Sequence, residues 1–198
     1  MNIAPCQTPD CTRFAFCGTE HCLDHHADPD AAHRSAVDLL RESPMVSDRA
    51  FDGLVLTDAD LSNRVFLRCS FRHATLDRVS FAGSVVDLCL FDFSTLTETS
   101  FRGADVRRSV FGGATITTCT FDGAELVDCN FNGAHCRGTT FNDSDLRGSR
   151  FIAATLHTVE MRNCNLKEAH FGNAVRAGCD FKYSNPEEAY MRLPGRRV

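Results

Sequence analysis

No apolar run in this chain approaches the ~18–20 residues that cross a bilayer. The Met1 end also lacks the basic stretch followed by an apolar segment that marks an export signal. These absences predict a soluble, cytoplasmic protein with no membrane contact. Positive charge is not in surplus either, because the formal net charge is −5. Residues 1–50 hold 8 acids against 4 Arg, giving −4, and residues 51–198 hold 18 acids against 17 bases, giving −1. A nearly neutral body offers no electrostatic footprint for nucleic acid, so no direct nucleic-acid binding is expected. GxSxG, Walker and GxGxxG signatures are missing as well.

What the chain does have is a repeat. From Phe101 to Phe151 every block of five opens on an apolar residue, with Phe alternating with Leu, Val, Ile or Cys. The position three after each opener is always small, as at Ala104, Ser109, Ala114, Cys119 and Ala124. Thirteen of the 16 Phe share one phase of five, from Phe51 to Phe181, and nine of the 13 Gly, from Gly53 to Gly178, share another. A period of five fits neither an amphipathic helix near 3.6 nor a plain strand at 2. It requires a coil that turns a corner after each short extended piece and points one large and one small side chain inward.

At these residues the chain resembles the pentapeptide-repeat family, whose pattern is built around a central Leu or Phe, over about Phe51 to Met191. The resemblance implies an all-β solenoid, a right-handed quadrilateral β-helix of about seven coils with residues twenty apart stacked as neighbours. At the usual spacing of ~4.8 Å per strand the rod is roughly 34 Å long. It then predicts one buried stack of Phe71, Phe91, Phe111, Phe131 and Phe151, facing Phe81, Phe101, Phe121 and Phe141. Phe93 is off register and should point outward.

Eleven Cys invite a disulfide reading, but most occupy inward slots: Cys69, Cys89, Cys119, Cys129, Cys164 and Cys179 the small one, Cys136 the large one. Reduced Cys is a compact apolar filler there. The other four lie in residues 1–27, a segment without the five-residue pattern and too short to bury a core. A metal is the usual substitute. Cys6 with Cys11 and Cys22 with His25 supply two close ligand pairs for one structural zinc. Cys17 and His26 are left as alternates, and a Cys6, Cys11, Cys17, Cys22 site is the competing set. The run CGTEHCLDH, from Cys17 to His25, is similar to part of an AN1-type finger, whose corresponding pair matches Cys22 and His25. The similarity covers about 20 residues and lacks that family's second-site ligands.

This divides the chain into a zinc-finger-like segment (1–27), a helix and linker that cap the solenoid (28–50), the β-helix (51–185) and a C-terminal cap and tail (186–198). Asp28-Pro29-Asp30 opens the helix, with Ala32, Ala36, Leu39 and Leu40 on one face, and Pro44 stops it. Arg176 and Pro186 occupy large apolar slots, so the last coil is expected to open near Arg176. A short helix over 186–193 should then cover the column with Tyr190, Met191 or Leu193. Arg64, in a small slot, points to an irregular first coil.

Stacking turns sequence into surface columns. His73, His135, His157 and His170 stack on no other His and on no carboxylate, and the acids are scattered, so a non-enzyme is expected. Asp105, Glu125 and Asp145 form an acidic ladder. The family includes proteins that protect DNA gyrase by resembling duplex DNA, yet Arg107, Arg147 and Lys167 lie on the same face. Large apolar residues gather outside the column at Val65, Val85, Leu88, Leu90, Phe93 and Val110, and such a patch marks a contact. The helix folding back, a second copy giving a homodimer in place of a monomer, and an unrelated partner are the three covers. The leading reading is a non-catalytic protein-interaction scaffold with an unknown protein partner. The alternative is a DNA-mimicking modulator or protector of a type II topoisomerase, DNA gyrase.

Overall fold

In the computed structural model, which describes residues 2–192, the chain winds into a parallel solenoid of about 7 turns. Each turn has four short sides. Strands Met45–Ser47, Val65–Leu67, Val85–Asp87 and Asp105–Arg107 pair in order on the first side. Three residues suffice for each strand because the following corner already belongs to the next side. The second and fourth sides are held by single parallel bridges, such as Ala50–Ser70–Leu90–Val110 and Ser80–Ser100–Thr120. The third side is a seven-stranded sheet from Val55–Thr57 to Val175–Ala177. Partners are twenty residues apart throughout, as in Leu76↔Leu96 and Leu96↔Ile116.

The inward positions explain the repeat. Phe71, Phe91, Phe111, Phe131 and Phe151 form one stack with ring centroids 4.7–5.1 Å apart. Phe81, Phe101, Phe121 and Phe141 form a second at 4.8–4.9 Å, and the two stacks meet edge to face. Every one of these rings is fully buried. Edge-to-face contact matches the positive rim of one ring to the negative face of the other. The small inward slot lets the corner close. Cys69, Cys89, Cys119, Cys129 and Cys164 are buried there as free thiols, and Cys179 is half-buried.

Gly recurs at the corner because that residue is left-handed. Non-Gly residues there bear the same conformation, including Leu88 (φ 55°) and Phe93 (φ 56°). Gly113 answers a second demand, since a Cβ on it would lie 2.7 Å from the Phe93 ring above.

At the N-terminal end the helix runs from Pro29 to Glu42, with the Asp28 side chain accepting from the Ala31 N–H. Its buried residues, Ala32, Ala36 and Leu40, join the column core. The helix therefore covers the end of the column and leaves Leu88 and Phe93 39% and 58% exposed. Docking onto the lateral patch does not occur, because the open column end claims the same apolar stripe. Arg64 holds this arrangement. Its Nη1 donates to the Leu40 and Ser43 carbonyls at 2.8 and 2.9 Å, and its Nη2 to Arg41 at 2.6 Å. These helix-end carbonyls otherwise lack donors. The first coil is therefore not irregular at Arg64, whose carbonyl accepts the Val85 N–H at 2.9 Å in the ordinary ladder; what sets the residue apart is its side chain, which caps the helix C-terminus.

The far end also differs from expectation. The last coil does not open at Arg176: Leu156↔Arg176 pair in register, and the Val175 N–H reaches the Ala154 carbonyl at 2.9 Å. Backbone pairing is indifferent to the side chain, which turns out to solvent and reaches the Met191 sulfur. The expected helix is one 3-10 turn, Pro186–Glu188, with no buried residue. Tyr190 is half exposed and stacks on His170 at 4.3 Å, while Met191 packs partly against the core. Leu193 lies outside the described residues. No described helix is long and apolar enough to cross a membrane.

Candidate metal centre and outer surface

Residues 4–25 form a knuckle with little secondary structure of its own. Pro5 bridges Phe14 in antiparallel fashion, and the Cys6 N–H donates to the Arg13 carbonyl at 2.9 Å. A tight turn, with Asp10 at φ 62° and the Cys11 N–H on the Thr8 carbonyl, brings Cys11 back towards Cys6. Cys22 precedes the 3-10 turn Leu23–His25, and one such turn places residues three apart on the same side. The His25 N–H closes that turn on the Cys22 carbonyl at 3.0 Å.

The four donor atoms of Cys6, Cys11, Cys22 and His25 all lie within 4.8 Å of one another. Cys6 Sγ is 3.6 Å and Cys22 Sγ 3.4 Å from His25 Nδ1, and Cys11 Sγ is 3.9 Å from Cys22 Sγ. Zinc–sulfur and zinc–nitrogen bonds at tetrahedral angles separate donors by ~3.5–3.8 Å. The cluster fits that geometry, and among the described residues it is the one His, Cys, Asp and Glu group of this kind. Burial raises the Cys6 thiol, but hydrogen bonds from Thr8, the Cys22 N–H and His25 outweigh it and bring it down to about 4. Burial pushes Cys22 the other way.

The two alternates lie elsewhere. Cys17 packs partly against the column core, its N–H on the Ala50 carbonyl at 2.6 Å, and His26 Nδ1 accepts from the Asp28 N–H at 3.1 Å. The residue that sequence reasoning missed is Phe16. It is 1% exposed, bridges Ala50 in parallel, and sets its ring edge-on against Phe51 at 6.5 Å. The knuckle therefore shares the rod's core. The sole signal in the sequence was that Phe16 keeps the phase of the repeat Phe residues across an interruption of the pattern.

On the outer surface, Asp105, Glu125 and Asp145 do bridge one another in a single column. Arg107 pairs with both Asp105 and Glu125, and Arg147 meets Asp145 at 2.7 Å, so two of the ladder's three negative charges are offset. Val65 pairs with Val85 and Leu90 bridges Val110, all four half-buried, and Leu88 stands exposed at the corner between the two columns. Phe93 sits at the far edge of the second side, its ring stacked on His73 at 5.5 Å. A cleft of about 470 Å³ separates the knuckle from that side, with Arg13, Asp24, Asp52, Arg72 and His73 on its walls.

The repeat is matched by family models. Family models described as pentapeptide repeats match residues 55–92 and 114–190. No curated protein matches the chain in sequence. Among solved structures, HetL, a pentapeptide repeat protein involved in heterocyst differentiation regulation from the cyanobacterium Nostoc sp., is 15% identical. That match covers 84% of this chain and 97% of HetL, with a TM-score of 0.27. QnrB1, a plasmid-mediated fluoroquinolone resistance protein, is 16% identical over 71% of this chain and 80% of its own, TM-score 0.35. A pentapeptide repeat protein from the Arabidopsis thaliana thylakoid lumen is 26% identical over 55% of this chain and 65% of its own, TM-score 0.26. With the repeat matched over more than half of its length and its residues stacked twenty apart, the chain belongs to the pentapeptide-repeat family.

Proposed function

We infer that this protein is a non-catalytic interaction scaffold: a rigid β-helix that presents a patterned surface, steadied by one structural zinc at its N-terminal end. The observation that carries this reading is the Cys6, Cys11, Cys22, His25 cluster, whose spacing suits a closed four-ligand site. A closed site has no open position for water or substrate, so the metal's work is structural. The contact surface is the apolar ridge of Val65, Val85, Leu88, Leu90 and Val110, with Phe93 beyond it. Exposed Leu88 and Phe93 lie on the rod's flank, which the helix does not cover.

Two measurements test this. Elemental analysis of purified protein should find one zinc per chain, and Cys22→Ser should lose it while Cys17→Ser keeps it. A photo-crosslinker at position 88 should capture a partner protein that the same group at Thr97, on the third side, does not. Equal capture at both positions would refute the ridge. The gyrase reading rests on Asp105, Glu125 and Asp145, and their pairing with Arg107 and Arg147 weighs against it. Unchanged supercoiling by quinolone-treated gyrase at micromolar protein would remove it.

A further inference from the structure

We propose that the zinc site is a latch: the metal holds the loop between Cys11 and Cys22 on the end of the rod, and its loss uncovers the first coil. This rests on the zinc reading above and adds a consequence to it. The loop serves as one extra rung on the second side. Phe16 bridges Ala50, which bridges Ser70, which bridges Leu90, so the loop continues the ladder of that side beyond its first coil. The Cys17 N–H supplies the donor that the Ala50 carbonyl would otherwise lack. The Phe16 ring likewise adds to the aromatic column, set edge-on against Phe51, which in turn stacks on Phe71 at 5.1 Å.

Apart from the metal, the rung is held by the Phe16 ring against Phe51, the Cys17 N–H on the Ala50 carbonyl, and a few hydrogen bonds inside the knuckle, among them the Gln7 and Ala15 N–H groups on the Glu20 and Ala4 carbonyls. Within the knuckle, the Phe16 N–H reaches the His21 carbonyl and the Thr19 hydroxyl reaches the Phe16 carbonyl. The Arg13–Asp24 pair is more than half exposed and so contributes little. Such a short segment cannot bury a core of its own. The ligands Cys11 and Cys22 bracket the loop on both sides, so a cation binding them closes the loop and fixes Phe16 over Phe51. In a solenoid each coil is stabilised mainly by its neighbours. Losing the terminal rung should therefore loosen the coil at 49–54 first and leave the middle of the rod intact.

Hydrogen exchange on the full-length protein tests this, with native mass spectrometry counting the metal. Chelation should speed exchange in residues 12–21 and 49–54 by about tenfold or more, the scale of local opening, and leave 110–150 unchanged. Phe16→Ala should keep its metal yet show the same fast exchange at 49–54. A metal-loaded protein whose 49–54 segment ignores chelation overturns the latch alone. Uniform loosening of every coil overturns it too, because the metal would then act on the whole rod. A native mass without metal overturns the zinc reading and the latch with it.

Discussion

Phe111→Ala is the sharpest probe of the column. Phe111 is fully buried between Phe91 at 4.8 Å and Phe131 at 4.7 Å, with Phe101 and Phe121 edge-on at 5.8 and 5.9 Å. Truncation removes all four ring contacts and leaves a void whose walls are other rings locked by the same register. Those walls are tied to a backbone that pairs above and below, so the void cannot collapse. The cost should fall at the upper part of the ~3–5 kcal/mol range for emptying a core Phe. Phe93→Ala is the matched control: its ring is 58% exposed, and its loss should stay within about 0.5 kcal/mol. Urea unfolding of both variants, read by circular dichroism, gives the comparison. A Phe111 cost below about 1 kcal/mol, or one equal to that of Phe93, would refute the stacked column.

Two further outcomes follow from the same geometry. Arg64→Ala strips the donors from the Leu40, Arg41 and Ser43 carbonyls and should cost ~1–3 kcal/mol, with helical signal lost at lower urea than in the parent. Burial pushes Cys119, Cys129 and Cys136 up to about 12 from an ordinary 9.0. Each raised thiol contributes stability that is complete below pH 9 and is lost as pH rises towards 12. The unfolding midpoint should therefore hold to about pH 9 and fall beyond it, less so in Cys129→Ser; a midpoint flat to about pH 11 would contradict this.

The column was legible because its inward positions repeat with the backbone's own period, so one phase accounts for Phe71, Phe111 and Phe151 alike, and for Phe93 outside. The ends were less so. An amphipathic stripe such as Ala32, Ala36 and Leu40 announces that a helix must dock, but not on what. Here the open end of the column competed with the lateral ridge and won. Arg64 carried that information in its charge, yet its acceptors are backbone carbonyls, which no sequence displays. At Arg176 the opposite error arose. A side chain unfit for the interior suggests a break in the coil, whereas the backbone pairs there regardless. In the knuckle, the paired spacing of Cys6, Cys11, Cys22 and His25 was readable, while the anchoring role of Phe16 depends on a contact across an unpatterned interval.

The twenty-residue register also limits how such a chain can change length. One residue inserted into a coil would shift every later Phe by one place, carrying Phe111 towards the solvent and an outward residue into the stack. Five inserted residues keep the inward phase but rotate the downstream rod by one side, which separates Asp105 from Glu125 and Leu90 from Val110. A whole turn preserves both. Lineages that keep this surface pattern should therefore lengthen and shorten by complete coils, as a stack of tiles does, while smaller insertions survive only as loops bulging from the corners.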